Sequence, residues 1–182
     1  MAFVGGLGLV NCWDGKLSMF ASTHIGPETP GNDDDLRFLN SIVTTVKISD
    51  KLTSITDMTY THDEAADANA YGVAQYFTYA LNDKVTLGLR GEVFKDDEGF
   101  YVAQFNDYGD PVRALDGRPL VDTTGAGANT YLAVTAGLTY KVTENIRVRP
   151  EVRWDHSTAS DAFNDFSDSD MLTAGLDVIV NF

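Results

Sequence analysis

The feature that most constrains this chain is a period of two in its apolar residues. In the stretch ENIRVRPEVRWDH, residues 144–156, apolar side chains alternate with mostly charged ones. The apolar set is Ile146, Val148, Pro150, Val152 and Trp154, and the charged set is Arg147, Arg149, Glu151, Arg153 and Asp155. Because successive side chains of a β-strand point to opposite faces, this pattern predicts a strand with one apolar and one charged face.

The same alternation recurs along the chain. It predicts eight strands, at about 16–25, 36–48, 52–61, 71–81, 85–94, 129–141, 146–156 and 170–182. A glycine-rich stretch at 3–10 is a candidate ninth strand of ambiguous phase. No helical periodicity of useful length is present. The pattern therefore predicts an all-β fold of antiparallel, up-and-down strands.

The links between these strands alternate in length. Short turns are expected at 49–51, 82–84 and 143–145, and longer links at about 26–35, 62–69, 95–128 and 157–169. Short turns at one end and long loops at the other are typical of a transmembrane β-barrel in a bacterial outer membrane. No apolar run approaches the roughly 18 to 20 residues of a membrane helix, but a barrel needs none, because only half of each strand meets lipid.

The formal charge of −14 is concentrated in the long links. Residues 26–35, 62–69, 95–128 and 157–170 hold 18 of the 27 acidic residues and 3 of the 13 basic ones. This balance argues against nucleic-acid binding, which needs a basic face. The acidic groups either only solvate the loops or bridge to lipopolysaccharide through divalent cations, which prefer oxygen ligands. No twelve-residue calcium-loop pattern is present, so no defined metal site and no cofactor are predicted.

The two faces of each strand have alternative interpretations. In a soluble sheet the apolar face packs on a core, whereas in a membrane barrel it meets lipid and the polar face lines an interior. Small residues and interleaved charges of both signs favour the second, because enclosed charges must be paired. The predicted lumen-lining residues are Arg90, Glu92, Arg147, Arg149, Glu151, Arg153, Asp155 and Asp177. The predicted aromatic girdle at the lipid boundary is Tyr79, Tyr140, Trp154 and Phe182.

Several stretches carry a resemblance to a known family. NCWDG, GPETPGNDDDLRFL, LGLRGEVFKDDEGF and LTYKVTENIRVRPEVRWDHS resemble the OmpL-like β-barrel porins of Gram-negative bacteria. The resemblance covers about residues 3–182 and implies a pore in the outer membrane, without naming a solute. The chain resembles the C-terminal part of a longer family barrel, and no signal peptide is visible in it.

Strand number leaves two alternatives for the single domain expected over residues 1–182. A barrel with both ends in the periplasm needs an even number of strands, and residues 3–10 would make nine. Either residues 1–14 lie outside the barrel wall, or the chain is a fragment of a larger barrel. A bulge or a local break in pairing is expected near Pro150, which cannot donate a ladder hydrogen bond.

Two functions from different classes are compatible with these features. The first is a porin-like barrel for passive diffusion of small polar or ionic solutes, as a monomer or an oligomer. The alternative is a closed small barrel that acts as a membrane anchor or adhesin through its long acidic loops. An enzyme is not predicted: the three histidines, His24, His62 and His156, lack a nucleophile motif such as GxSxG.

Overall fold

The structure is a computed structural model that describes residues 1–29, 31–102, 127–164 and 167–182. Nine antiparallel strands form one sheet in chain order. They are β1 (Phe3–Asn11), β2 (Leu17–Gly26), β3 (Arg37–Lys47), β4 (Leu52–Asp63), β5 (Ala68–Ala80), β6 (Val85–Asp96), β7 (Asn129–Lys141), β8 (Ile146–Ser157) and β9 (Asp170–Val180). The predicted all-β, up-and-down architecture is therefore confirmed.

Residues 3–11 lie in the sheet, so the alternative that placed residues 1–14 outside it does not describe this segment. Phe3, Leu7 and Leu9 alternate on the apolar face, and Leu9 lies opposite Met19 of β2. The link to β2 is a single left-handed turn, α1 (Cys12–Gly15), in which Trp13 and Asp14 both have a φ of 55°. The glycine-rich stretch can pair with β2 because the hydrogen bonds between strands are formed by backbone groups and do not require side chains.

The sheet is open. Among the described residues, no pairing joins β1 to β9. Nine antiparallel strands place the first and the last in the same direction, so these two edges cannot form an antiparallel pair with each other. The chain is thus a partial barrel, whose two edges both have free backbone hydrogen-bonding groups.

The links sort by length as predicted, with one difference. Short turns at 48–51, 81–84 and 142–145 lie at one end of the sheet, together with α1, and the longer loops lie at the other end. The β4–β5 link, however, has only four residues, 64–67, because both strands extend further than the alternation suggested. The Asp63 carboxylate accepts a hydrogen bond from the Ala66 amide at 3.0 Å, which closes this turn.

The pairing of β7 with β8 is interrupted beside Pro150. Gly137 pairs with Glu151 and Tyr140 pairs with Val148, but the two positions between them are unpaired. The register is the same on both sides of the gap, so this is a local break and not a bulge. The expectation of a disturbance at Pro150 is confirmed, and its cause is the amide hydrogen that proline lacks.

The apolar face points away from the protein. Leu87, Val152 and Leu176 are 42%, 49% and 70% exposed, and none of them contributes to a core. Charged side chains of the opposite face are instead partly buried: Asp155 is 8% exposed and Asp63 only 2%. Among the described residues, no helix has the length and apolar character that a membrane-crossing helix requires.

Candidate functional site

The polar face of the sheet carries the candidate site. Strand register places all eight predicted lumen-lining residues on this face. Six of them belong to two ion-pair groups, which are described below. A trough of about 610 Å³ lies over part of the face, between Tyr76 and Arg90 on one side and Arg149 and Asp177 on the other. Its position indicates that the polar face is the concave one.

A four-residue ionic network crosses three strands. Glu92 on β6 accepts from Arg90 at 2.6 Å and from Arg153 on β8 at 3.4 Å. Arg153 also contacts Asp155 at 2.6 Å. Arg153 can reach Glu92 over the intervening strand β7 because Ala133, the partner of both Glu92 and Asp155, has only a methyl group. Each charge of the network therefore has an opposite charge within reach, as enclosed charges require.

A second pair lies nearer the short turns. Arg149 and Asp177 are direct cross-strand partners, and the Arg149 Nε donates to Asp177 Oδ1 at 2.9 Å. Both side chains are about half exposed, at 50% and 48%. Within the described part of the chain, Arg147 and Glu151 have no ion-pair partner. The predicted set thus comprises six charges in ion pairs and two, Arg147 and Glu151, whose interactions with Glu144 and Arg149 act only at longer range.

Two buried carboxylates that were not among the predicted site residues lie at the long-loop end. Asp63 is paired with Arg37, whose Nε donates to it at 2.6 Å. Asp96 is fully buried and accepts hydrogen bonds from the backbone amides of Phe100, Tyr101 and Val102 at 2.7 to 3.0 Å. Asp63 and Asp96 therefore fix the turn after β4 and the start of the loop after β6 against the polar face.

Tyr101 extends this anchoring. Its hydroxyl donates to the Ala68 carbonyl at 3.2 Å and lies 3.4 Å from the Thr61 hydroxyl. Burial raises the pKa of the Tyr101 phenol, and the Thr61 hydrogen bond opposes this only partly. Arg37 lies over the neighbouring Phe100 ring, 5.7 Å from its centroid. Residues 97–102 thus lie across the long-loop end of the polar face instead of projecting away from the sheet.

Most acidic groups of the described loops have internal donors. Glu64 accepts from the Leu36 amide at 2.8 Å, and Glu98 accepts from the Asn69 amide. Lys95 contacts Asp97 at 2.5 Å, and Asn32 donates to Asp35 at 2.6 Å. The contacts of Glu64 and Glu98 join segments that are distant in the chain, whereas the other two are local. Among the described loop residues, the carboxylates of Asp33, Asp34, Asp67 and Asp161 have no such partner.

The predicted girdle residues lie at two heights on the apolar face. Tyr79 and Tyr140 are near the short turns, and Trp154 is near the long loops, where its Nε1 donates to Asp170 at 3.0 Å. Phe182 lies beyond the end of β9 at Val180, so it is not part of the strand. Whether these residues form a girdle stays a prediction.

Sequence reasoning missed two further aromatic residues on this face. Tyr60 and Tyr71 are cross-strand partners near the long loops, with ring centroids 5.2 Å apart. Eight residue steps separate Tyr71 from Tyr79 on β5, about 27 Å along an extended strand. This length is close to the apolar band of about 25 Å in transmembrane barrels. Their position near the ends of alternating strands was the signal that could have identified them.

The histidines occupy unrelated places. His24 lies 3.5 Å from Glu28, His62 lies 3.1 Å from Asn69, and His156 lies 3.0 Å from Asp170. Ser169 donates to the same Asp170 carboxylate and not to His156. In the described ranges, no three His, Cys, Asp or Glu side chains are placed to share a metal ion.

The exposed apolar face, the concave polar face with its paired charges, and the two sets of links together define the wall of a transmembrane β-barrel of the porin type. The chain belongs to the family described as "Putative beta-barrel porin-2, OmpL-like", whose model matches residues 1–182. The resemblance seen in the sequence is therefore confirmed, and with it an outer-membrane localisation in a Gram-negative bacterium.

A solved structure has the same fold. The crystal structure of the outer membrane channel DcaP of Acinetobacter baumannii is similar, with a TM-score of 0.56 and 13% sequence identity. The match covers 97% of this chain and 51% of that chain, so this chain spans about half the length of that structure. A comparison with curated proteins found no match.

Proposed function

We propose that this chain forms part of the wall of an outer-membrane pore through which small polar or ionic solutes diffuse passively. The observation that carries the proposal is the inside-out arrangement of the sheet. Leu87, Val152 and Leu176 point outward, whereas Arg90, Glu92, Arg153 and Asp155 form a partly buried network on the concave face. In water this arrangement would expose a large apolar surface, but in a bilayer it satisfies both faces.

A pore needs a wider barrel than eight or nine strands can form. Eight strands leave an interior that side chains just fill, and only larger barrels enclose an aqueous channel. The open edges at β1 and β9 fit a larger barrel in which this chain is one part. Since β1 and β9 run in the same direction, closure requires an odd number of additional antiparallel strands.

The polar wall supports weak rather than strong ion preference. The eight predicted lumen residues comprise four arginines and four acids, and most are paired with each other. Rings of fixed charge of one sign set ion preference in pores, and this wall has no such excess. Diffusion of small hydrophilic solutes of either sign is the function that suits it best.

Conductance of the complete barrel that contains this chain, purified and inserted into a planar bilayer, tests the proposal. Steady open-channel current is expected. The variant Glu92→Gln leaves Arg90 and Arg153 with one counter-charge fewer, so the ratio of cation to anion permeability should fall. Asp83→Asn, in the short turn between β5 and β6, removes one acidic charge outside the strands and should leave the ratio unchanged.

Two results would contradict the pore. An unchanged permeability ratio in Glu92→Gln would mean that ions do not pass along the polar face. Absence of any steady current from folded, inserted protein would favour the alternative, a membrane anchor or adhesin that acts through its loops. Folding of each variant is checked first by its heat-dependent migration on gels, which is a property of intact barrels.

Contact with lipopolysaccharide forms a second, narrower part of the proposal. Asp33 and Asp34 are the carboxylates of the β2–β3 loop that remain for divalent cations, because Asp35 is bonded to Asn32. Replacing both with asparagine should weaken the binding of divalent cations between the protein and lipopolysaccharide. Less lipopolysaccharide should then co-purify with the protein in the presence of divalent cations. We also propose that the chain is not an enzyme, since in the described residues His24, His62 and His156 contact Glu28, Asn69 and Asp170 and no hydroxyl or thiol group.

A further inference from the structure

The trough on the polar face lies over a row of glycines. Strand register places Gly88, Gly137, Glu151 and Gly175 side by side on β6, β7, β8 and β9. Three of these four positions have no side chain, so the face is recessed there. The trough has a volume of about 610 Å³, within the usual range of small-molecule sites.

The arginines that border the trough are already engaged. Arg90 contacts Glu92 at 2.6 Å and lies over the Tyr76 ring, 5.3 Å from its centroid. Arg149 directs its Nε to Asp177 at 2.9 Å. Each guanidinium charge is therefore already balanced by a carboxylate, which weakens its attraction for an anionic solute.

Glu151 is the charge that remains. Its side chain is exposed in the trough and has no ion-pair partner in the described part of the chain. A Cβ on Gly175 would lie 3.4 Å from the Glu151 Cγ and 3.7 Å from its Oε1, so the carboxylate lies over the glycine. Arg149, two residues away on the same strand face, is turned toward Asp177.

We infer that this trough is a binding subsite for small hydroxylated organic cations, in which the Glu151 carboxylate contacts the ammonium group of the solute. The inference rests on the proposed pore and adds the chemical class of its preferred solutes. The hydroxyls of Thr78, Thr86 and Thr139 line the same trough and can exchange hydrogen bonds with the hydroxyls of such a solute. The glycine row provides the space that the body of the solute fills.

Glucosamine and glucose are suitable probes because they differ at one position, an ammonium group in place of a hydroxyl at pH 6. Each sugar is added to single channels of the purified protein, and interruption of the ion current reports its residence in the pore. Glucosamine should block at about two- to fivefold lower concentration than glucose, which corresponds to the strength of one exposed ion pair. In Glu151→Gln the two sugars should block equally.

Two further variants separate the effect of the Glu151 charge from the effect of the volume of the trough. Asp83→Asn removes a carboxylate in the turn between β5 and β6, outside the strands, and should keep the preference for glucosamine. Gly88→Ala narrows the trough, and there is room for the added Cβ, which would meet only the Gly137 carbonyl oxygen at 3.8 Å. This variant should weaken the block by both sugars by the same factor and leave their ratio unchanged.

Equal block by the two sugars in the unmodified protein would overturn the inference, and so would a preference that survives in Glu151→Gln. If the protein carries no current at all, the pore proposal fails, and the subsite is then decided by binding alone. Saturation-transfer NMR on protein in detergent micelles should show glucosamine contact that Glu151→Gln abolishes. Absence of that contact would overturn the subsite independently of conduction.

Discussion

The carbonyl oxygen of Pro150 lies so close to Gly137 that a Cβ on that glycine would be only 2.9 Å from it. The contact occurs where the pairing of β7 with β8 is interrupted. Because proline cannot donate the expected hydrogen bond, the two strands approach through the backbone of Gly137 instead. Glycine at 137 and proline at 150 are therefore structurally coupled.

This coupling predicts that Gly137→Ala destabilises the barrel wall. The added methyl group must displace backbone, and overpacking of this kind typically costs about 1 to 3 kcal/mol. Unfolding of the purified protein in lipid vesicles by urea, followed by tryptophan fluorescence, measures the free energy of unfolding.

Gly91→Ala is the matched control, because Gly91 lies on the neighbouring strand and a Cβ there would meet no atom within 4 Å. The free energy of unfolding should stay the same or rise slightly, since alanine restricts the unfolded chain more than glycine does. Equal losses in the two variants would show that glycine at 137 is not required by Pro150.

The pair of Arg37 with Asp63 predicts a larger effect. Asp63 is 2% exposed, so Arg37→Met leaves a buried carboxylate without its counter-charge, at a cost of about 3 to 5 kcal/mol. The same change at Arg149, whose pair with Asp177 is half exposed, should cost less than about 1 kcal/mol. The urea unfolding assay compares the two variants directly.

A double variant tests the cause. Asp63→Asn in the Arg37→Met background removes the unpaired charge, while its side-chain oxygen can still accept from the Ala66 amide. It should recover part of the stability that Arg37→Met loses. If the double variant is as unstable as the single one or less stable, packing of the Arg37 side chain on Phe100, and not the buried charge, accounts for the effect.

The faces of the strands were predictable from the sequence, because alternation alone decides which side chains share a face. Arg149 and Asp177 were predicted on one face, and they are cross-strand partners there. The break at Pro150 was predictable for an equally local reason, the missing amide hydrogen. These features depend on a residue and its near neighbours in the chain.

The contacts between distant strands were not predictable in the same way. The reach of Arg153 to Glu92 depends on the register of three strands and on the small size of Ala133 between them. Similarly, nothing in the sequence distinguishes Asp96 from the other acidic residues of its charged segment, although its carboxylate accepts hydrogen bonds from three backbone amides. Alternation within single strands contains no information on such partners.

The buried phenol of Tyr101 predicts that the stability of the long-loop end of the sheet decreases at alkaline pH. Its pKa is raised by burial, so the neutral phenol is favoured by the folded state. Its contribution to stability is complete below the ordinary tyrosine pKa of about 10 and is lost as the pH rises through the higher value in the folded protein. Absorbance at 295 nm should therefore show a late-ionising tyrosine component, and Tyr101→Phe should lower its amplitude by the share of one residue. A loss of amplitude near the ordinary tyrosine pKa of about 10, with the late component unchanged, would contradict the assignment.

The native cysteine tests the orientation of the sheet. Cys12 lies in the turn between β1 and β2, at the end with the short turns, whereas Asp34 lies in a loop at the other end. In outer-membrane barrels the short turns face the periplasm and the longer loops face the outside. A membrane-impermeant maleimide should therefore leave Cys12 unlabelled in intact cells and label it once the outer membrane is permeabilised. Asp34→Cys in a Cys12→Ser background should be labelled in intact cells, and the reverse labelling pattern would show that the acidic loops face the periplasm.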